Sequence, residues 1–357
     1  MPTHELYMHR CLELAKLGLG RVAPNPLVGA VLVHEGRIIG EGYHENYGEP
    51  HAEVNCLNSV KEEDRSLIPS STLYVSLEPC AHFGKTPPCA DLIIQKSIAK
   101  VVIGCRDPFP AVNGKGIEKL QHAGIEVVQD VLEEKCRKMN AAFFTFHTRY
   151  RPYILLKWAE TADKKMAGKN EQRLLISNAC TNRLVHKWRS EVMSILVGRN
   201  TALKDDPSLN TRLWPGKSPV RLVLDPELSL PAGLKLFDGS IPTIIFNYHQ
   251  HSLLHLQEDW KENKVHFYQV TKDVSVPVQL SNALYQLGIQ SVLVEGGARL
   301  LQSFIDDDLW DEARVITNEK LVIGQGLHSP VLKNVVIGNE WQIENDVIKM
   351  YQNSPGL

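Results

Sequence analysis

Apolar positions recur along the chain in two rhythms, and the alternation between them sets the expected elements. From His4 to Leu17, the residues Leu6, Tyr7, Met8, Cys11, Leu14 and Ala15 keep helical spacing, so an amphipathic helix is expected to open the chain. Leu27 to His34 and Arg37 to Tyr43 are apolar runs that meet at Glu35-Gly36, a two-residue turn of hairpin type. His51 to Val60 reads as a helix, Thr72 to Leu77 as a strand, and Cys89 to Ile98 as a helix introduced by Pro87-Pro88. Further strands are expected at Val101 to Cys105 and Ile125 to Val128, with a short helix, Gly116 to His122, between them. Val131 to Phe146 reads as one long helix. Strands alternating with helices predict a three-layer α/β unit.

A second unit is expected after the helical pattern gives way at Thr148-Arg149-Tyr150-Arg151-Pro152, which divides the chain into 1–147 and 148–357 with no flexible linker. Pro152 to Ala159 reads as a strand, and Ser177 can cap a helix running to about Arg189. Ser194 to Gly198, Val220 to Asp225, Thr243 to Asn247 and Val265 to Tyr268 are further strands, and Ser281 to Leu287 is helical in pattern. Val292-Leu293-Val294 then ends at Glu295-Gly296-Gly297, with a helix from Ala298. Glycines at such a junction let a phosphate approach the amides of the helix start, although the same turn is as often only a tight connection, and the dinucleotide pattern GxGxxG is absent. The last thirty residues carry no readable pattern.

At 357 residues with 43% hydrophobic content the chain can fill two cores. A formal charge of −2 argues against a partner held by many phosphates, so small molecules are the expected ligands, and no nucleic acid. Seven scattered cysteines do not form a disulfide framework and fit a reducing cytoplasm. No signal-peptide core and no membrane span are expected.

The strongest chemistry lies in His51-Ala52-Glu53, Pro79-Cys80 and Cys89. One imidazole and two thiolates suit zinc, and three protein ligands leave a tetrahedral position open, as in catalytic sites. Two thiolates cancel the charge of the ion, so it acidifies water less than an all-histidine site, where the water's pKa falls to about 7; a neighbouring base is needed. Glu53 is placed to take that proton and return it to a leaving nitrogen. A closed structural site would need a fourth ligand, for which His82 is the nearest candidate. The pattern is the signature of zinc-dependent nucleobase deaminases, except that eight residues, Ala81 to Pro88, separate the cysteines instead of two.

Taken with Asn25-Pro26-Leu27-Val28-Gly29, Glu78-Pro79-Cys80-Ala81-His82 and Arg106-Asp107-Pro108, that long spacing resembles the deaminase half of the bifunctional riboflavin-biosynthesis deaminase/reductases. Phe109 departs from the asparagine usual in that family. The resemblance implies a cytidine-deaminase-like α/β/α domain in which Asn25 and His44 contact a pyrimidine, while His82 and Lys85 line the entry for its ribose phosphate. Lys85, a flexible cation in the inter-cysteine loop, suits a phosphate on chemical grounds as well.

Lys157-Trp158-Ala159, Ser194 to Gly198 with Thr201, Asp205 to Leu209 with Arg212, Pro219 to Asp225 and Glu295-Gly296-Gly297 are similar to the family's reductase half, whose fold is like dihydrofolate reductase. By that similarity Ala159, Leu175, Thr201, Asp205, Gly296 and Gly297 hold NADPH, and Arg173, Arg189, Leu209, Arg212 and Glu295 hold the phosphoribosyl substrate. Lys157 would sit beside the reacting carbon, and Lys157 or Glu295 could serve as proton source. Lys164, where the family has glycine, and Leu175, where an aromatic often stacks on the nicotinamide, are departures. A homo-oligomer, dimer or tetramer, is implied by resemblance alone. The alternative is a nucleotide or RNA base deaminase whose second half is a non-catalytic reductase-like scaffold.

Overall fold

The computed structural model describes residues 3–83, 87–169, 174–252 and 264–354, and its internal packing divides the chain into two units, Met1–Arg149 and Tyr150–Leu357. Lys85 and Arg173 lie outside the described residues.

The first unit opens with helix α1 (His4–Lys16) and strands β1 (Gly29–His34) and β2 (Arg37–Tyr43), which pair antiparallel. Their turn uses positive φ at both Glu35 (47°) and Gly36 (83°), the geometry whose twist matches a hairpin. Helix α2 (Ala52–Asn58), β3 (Thr72–Val75), α3 (Cys89–Gln95), β4 (Lys100–Ile103), α4 (Lys115–His122) and β5 (Glu126–Val128) follow. The sheet runs β2-β1-β3-β4-β5, with β3, β4 and β5 parallel. Alternate strand residues serve opposite cores: Leu32, Leu73, Val75, Val101 and Ile103 pack with Cys56 of α2, Ile93 of α3 and Leu120 of α4. Val31, Tyr74 and Val102 face Met8 and Cys11 of α1 and Phe143 and Phe144 near the end of the unit. Each buried aliphatic side chain contributes about 1.5–3 kcal/mol, so this double-sided sheet carries the unit.

The long helix expected to close the unit is instead two, α5 (Glu133–Met139) and α6 (Ala141–Arg149). The break falls at buried Asn140, whose amide bonds the backbone of Leu27 on both sides: Leu27 N–H donates to Oδ1 at 2.7 Å, and Nδ2 donates to Leu27 O at 2.9 Å. Satisfying that otherwise buried peptide outweighs helical continuity.

The second unit is built on a nine-stranded sheet. Its strands are β6 (Tyr153–Thr161), β8 (Ser194–Gly198), β9 (Val220–Leu224), β10 (Thr243–Asn247), β11 (Val265–Gln269), β12 (Ser291–Glu295), β13 (Glu312–Asn318), β15 (Val335–Ile343) and β16 (Asp346–Asn353). The order is β11-β10-β9-β8-β12-β6-β13-β16-β15, parallel through β13 and antiparallel in the last two, while β7 (Lys165–Gly168) and β14 (Gly326–His328) form a separate pair. Helices α9 (Val276–Gln286) and α10 (Ala298–Asp306) cover the face of Ile154, Leu156 and Trp158. Helices α7 (Ala179–Ser190) and α8 (Arg199–Asp205) cover the other, where Leu155, Ile195 and Leu293 point. Two helix starts differ from expectation. Asn178, not Ser177, caps α7 by accepting Thr181 N–H at 2.8 Å, and α9 begins at Val276 behind the cap Ser275, not at Ser281.

Candidate active sites of the two units

In the first unit two helix starts and the loop after the central strand deliver three soft ligands to one point. His51 is the N-cap of α2, Cys89 the first residue of α3, and Cys80 follows the end of β3 by five residues. His51 Nδ1 lies 3.6 Å from Cys80 Sγ and 3.4 Å from Cys89 Sγ. With metal–sulfur bonds of about 2.3 Å and a metal–nitrogen bond of about 2.0–2.1 Å, a tetrahedral zinc needs about 3.5 Å between nitrogen and sulfur. The triad fits the ion. Cys80 Sγ also accepts Cys89 N–H at 3.2 Å. These three are the group among the described residues whose His, Cys and carboxylate donors converge closely enough for a metal; His82 is not among them, so the fourth-ligand reading has no support.

Glu53, in the first turn of α2, is 3% exposed, and burial, followed by the Cys80 sulfur, raises its carboxyl above the usual range. Asn25 and His44 are coupled: Asn25 Nδ2 lies 3.1 Å from His44 Nε2, and His44 Nδ1 lies 3.1 Å from Pro50 O. Burial lowers the His44 pKa, which leaves a neutral ring that donates from Nδ1 to the carbonyl and accepts from the amide at Nε2. Asn25 therefore keeps its oxygen free of that pairing, and His44, only 2% exposed, orients it. His82 meets Phe109 at a tilt (5.7 Å between ring centres), and Phe109 meets His147 (5.1 Å), so the departure at Phe109 completes an aromatic row.

In the second unit a cavity of about 1210 Å³ opens at the carboxyl ends of the parallel strands, the usual place for ligands in such sheets. Its wall includes Ala159, Leu175, Thr201, Asp205, Gly296 and Gly297. It also includes Lys157, Arg189, Leu209, Arg212 and Glu295. Gly296 (φ 82°) and Gly297 (φ 71°) both need the left-handed region, and a Cβ on Gly296 would meet Thr201 at 2.9 Å. Leu175 is 73% exposed at the cavity. Lys164 takes φ 60° in glycine's stead, with its ammonium 2.6 Å from buried Glu160.

Strand register explains the cavity's polar floor, because Lys157 on β6 lies directly across from Glu295 on β12. Glu295 accepts Arg189 Nε and Nη2, each at 2.8 Å, and lies 3.9 Å from Lys157 Nζ. Burial works to raise the Glu295 carboxyl, but Arg189 and Lys157 outweigh it and hold the group at about 2. An acid of that strength stays ionised at neutral pH, which corrects the expectation that Glu295 could supply a proton. Burial lowers the Lys157 pKa, with Glu295 opposing the shift and Arg189 adding to it. The Arg189 fork is committed to Glu295, while Arg212 is exposed and bonds Asn210 Oδ1.

His186 escaped sequence reasoning. It lies one turn before Arg189 on α7, lines the same cavity, and is pushed to about 4 by burial, then by Arg189 and Arg212. Its spacing of three residues from Arg189 was the available signal.

Comparison with known proteins resolves the family. The family described as cytidine and deoxycytidylate deaminase zinc-binding region matches residues 1–105, and the RibD C-terminal domain matches residues 152–334. The riboflavin biosynthesis protein RibD of Aquifex aeolicus is 43% identical over 323 residues, covering 90% of this chain and 88% of that protein. The chain belongs to the RibD family. RibD of Escherichia coli is 33% identical over 332 residues, 89% of this chain and 88% of its own. Among solved structures, a diaminohydroxyphosphoribosylaminopyrimidine deaminase/5-amino-6-(5-phosphoribosylamino)uracil reductase from Thermotoga maritima superposes with a TM-score of 0.88 at 37% identity, covering 98% of this chain and 99% of that one. Acinetobacter baumannii RibD gives 0.87 at 30%, covering 98% and 99%. As a RibD-family member the chain is a bifunctional deaminase/reductase of riboflavin biosynthesis that uses zinc in one half and NADPH in the other. A base deaminase with a scaffold domain is not favoured, since RibD relatives match both halves. No described helix is long and apolar enough to cross a membrane.

Proposed function

We propose that residues 1–147 remove the amino group from 2,5-diamino-6-(5-phosphoribosylamino)pyrimidin-4-one, and that 148–357 reduce the ribosyl group of the resulting 5-amino-6-(5-phosphoribosylamino)uracil to ribityl. The observation that carries the first step is the His51, Cys80 and Cys89 cluster with buried Glu53 two residues from the imidazole.

His51 Nδ1 and the two sulfurs would hold a zinc ion, which would supply Lewis acidity toward a bound water and leave the proton transfer to a neighbouring base. Glu53 takes a proton from the attacking water on its carboxylate as the water oxygen bonds the amino-bearing ring carbon, and returns that proton to the amino nitrogen, which leaves as ammonia when its C–N bond breaks. Its raised pKa suits a group that must hold the proton between the two transfers. Asn25, turned by His44, offers its amide oxygen to an N–H edge of the pyrimidine, and His82 and Lys85 receive the ribose phosphate.

NADPH supplies the hydride for the second step. Lys157 Nζ donates a proton to the sugar nitrogen or oxygen, and Glu295 keeps that ammonium charged inside a buried floor. Arg189 orients Glu295 through its fork, which leaves Arg212, with Arg173 and Leu209, to receive the substrate. Ala159, Leu175, Thr201, Asp205 and the Gly296-Gly297 turn hold the dinucleotide, with the glycines allowing close approach of its phosphates. The reading also places the protein in the cytoplasm as a homo-oligomer working on small molecules, with no nucleic acid or membrane partner.

The test is one reaction: purified protein with the diaminopyrimidine substrate and NADPH, followed for ammonia and for loss of NADPH absorbance. One ammonia released and one NADPH oxidised per substrate supports the reading. Ammonia without NADPH oxidation defeats its second half, and absence of ammonia defeats its first.

A further inference from the structure

We propose that Glu78 is a positioning residue for the metal centre, setting the place of the Cys80 thiolate from two residues away. The inference rests on the metal reading of His51, Cys80 and Cys89. Glu78 is 4% exposed, and no ion pair is found for it among the described residues, yet its carboxylate is saturated by backbone N–H groups. Oε2 accepts from Asp107 (3.2 Å) and Gly114 (2.9 Å), and Oε1 accepts from Gly116 (2.9 Å) and Ile117 (3.3 Å). Three of these four donors belong to the start of α4, where N–H groups have no partner within the helix and an anion is favoured.

Close approach of two backbones makes the clamp rigid. A Cβ on Gly116 would lie 2.0 Å from Pro79 O, so the start of α4 abuts the peptide that joins Glu78 to Cys80. Glu78 N–H is itself bonded to Cys105 O at 3.0 Å. The one residue between clamp and ligand is proline, whose φ is fixed by its ring, so a displacement at Glu78 is passed on to Cys80 and not absorbed. On its other side Cys80 is tied to α3, with its carbonyl accepting Ala90 N–H at 3.1 Å and its sulfur accepting Cys89 N–H. Cys80 is thus suspended between two helix starts, and Glu78 makes one of the two attachments. Groups that orient a metal ligand in this way change metal affinity by about 10–100-fold when altered.

Glu78→Gln puts an NH2 group against two N–H donors while keeping the side chain's size. Gly116→Ala pushes on Pro79 O and brings a methyl within 3.2 Å of Glu78 Oε1, while the carboxylate keeps its charge. Each full-length apo-protein is titrated with zinc against a chromophoric chelator, and separately loaded with cobalt(II), whose thiolate charge-transfer and ligand-field bands report the Cys80 geometry. Circular dichroism and thermal unfolding serve as the folding control of the first unit, and reduction of supplied aminouracil substrate by NADPH as that of the second. The expected result is a zinc affinity about 10–100-fold below wild type in both variants, with altered cobalt bands and unchanged reduction. Wild-type zinc affinity and wild-type cobalt bands in Glu78→Gln would overturn the inference even if its melting temperature fell, since a mere strut moves stability alone. Should Glu78→Gln not fold, wild-type affinity in Gly116→Ala overturns it. Failure of the wild-type protein itself to bind one zinc would sink the metal reading instead.

Discussion

Glu53 and Glu295 are both buried carboxylates, and their surroundings send them in opposite directions. Burial, with the Cys80 sulfur, raises Glu53, while at Glu295 the two cations Arg189 and Lys157 outweigh burial and hold the group at about 2. Glu53→Gln is expected to retain zinc, measured by metal content, while ammonia release falls by about 10²–10⁴. For Glu295 the sign is fixed by its depressed folded pKa. The pair with Arg189 contributes stability in full above the unfolded carboxyl value near 4.5, and that contribution is lost as pH falls through about 2. Glu295→Gln leaves a buried guanidinium unpaired, so urea unfolding at pH 7 should show a loss of about 3–5 kcal/mol. The gap to wild type should narrow between pH 4.5 and 2. Sequence pointed to all these residues but not to their pairing. Arg189 and Glu295 are separated by 106 positions, so nothing local indicates that one guanidinium is occupied by the other carboxylate.

The elements differ in how plainly the sequence announced them. The hairpin of β1 and β2 was readable because its turn chemistry and its apolar runs agree, and the metal cluster was readable because helix starts and ligands coincide in short motifs. The split between α5 and α6 was not, since its cause is Leu27, 113 residues from Asn140. Asn140→Ala would strand both backbone polar groups of Leu27, at about 1–3 kcal/mol each, and thermal unfolding should record the drop. The terminal strands were unreadable for another reason. Most of β15 is exposed, with Val336 at 49% and Ile337 at 63%, so it lacks the inside–outside alternation that betrays a strand. β16 was hidden by lying between two antiparallel neighbours that the pattern did not reveal.

For the whole molecule, the two sites are built from residues of separate units, with the metal cluster wholly in Met1–Arg149 and the cavity wholly in Tyr150–Leu357. Stripping zinc with a chelator should therefore abolish ammonia release and leave reduction of supplied aminouracil substrate at its untreated rate; loss of both would show that the metal supports the second half as well. The placing of Lys157 has a separate consequence. Its strand, β6, is flanked by β12 on one side and β13 on the other, in the interior of the nine-stranded sheet. Backbone amides there have partners on both sides and meet water last, so the Lys157 ammonium is mounted on ground that yields least to thermal agitation. Adaptation to a different sugar or a different nucleotide is then to be sought in the loops around the rim, because the anvil is pinned by both neighbouring strands.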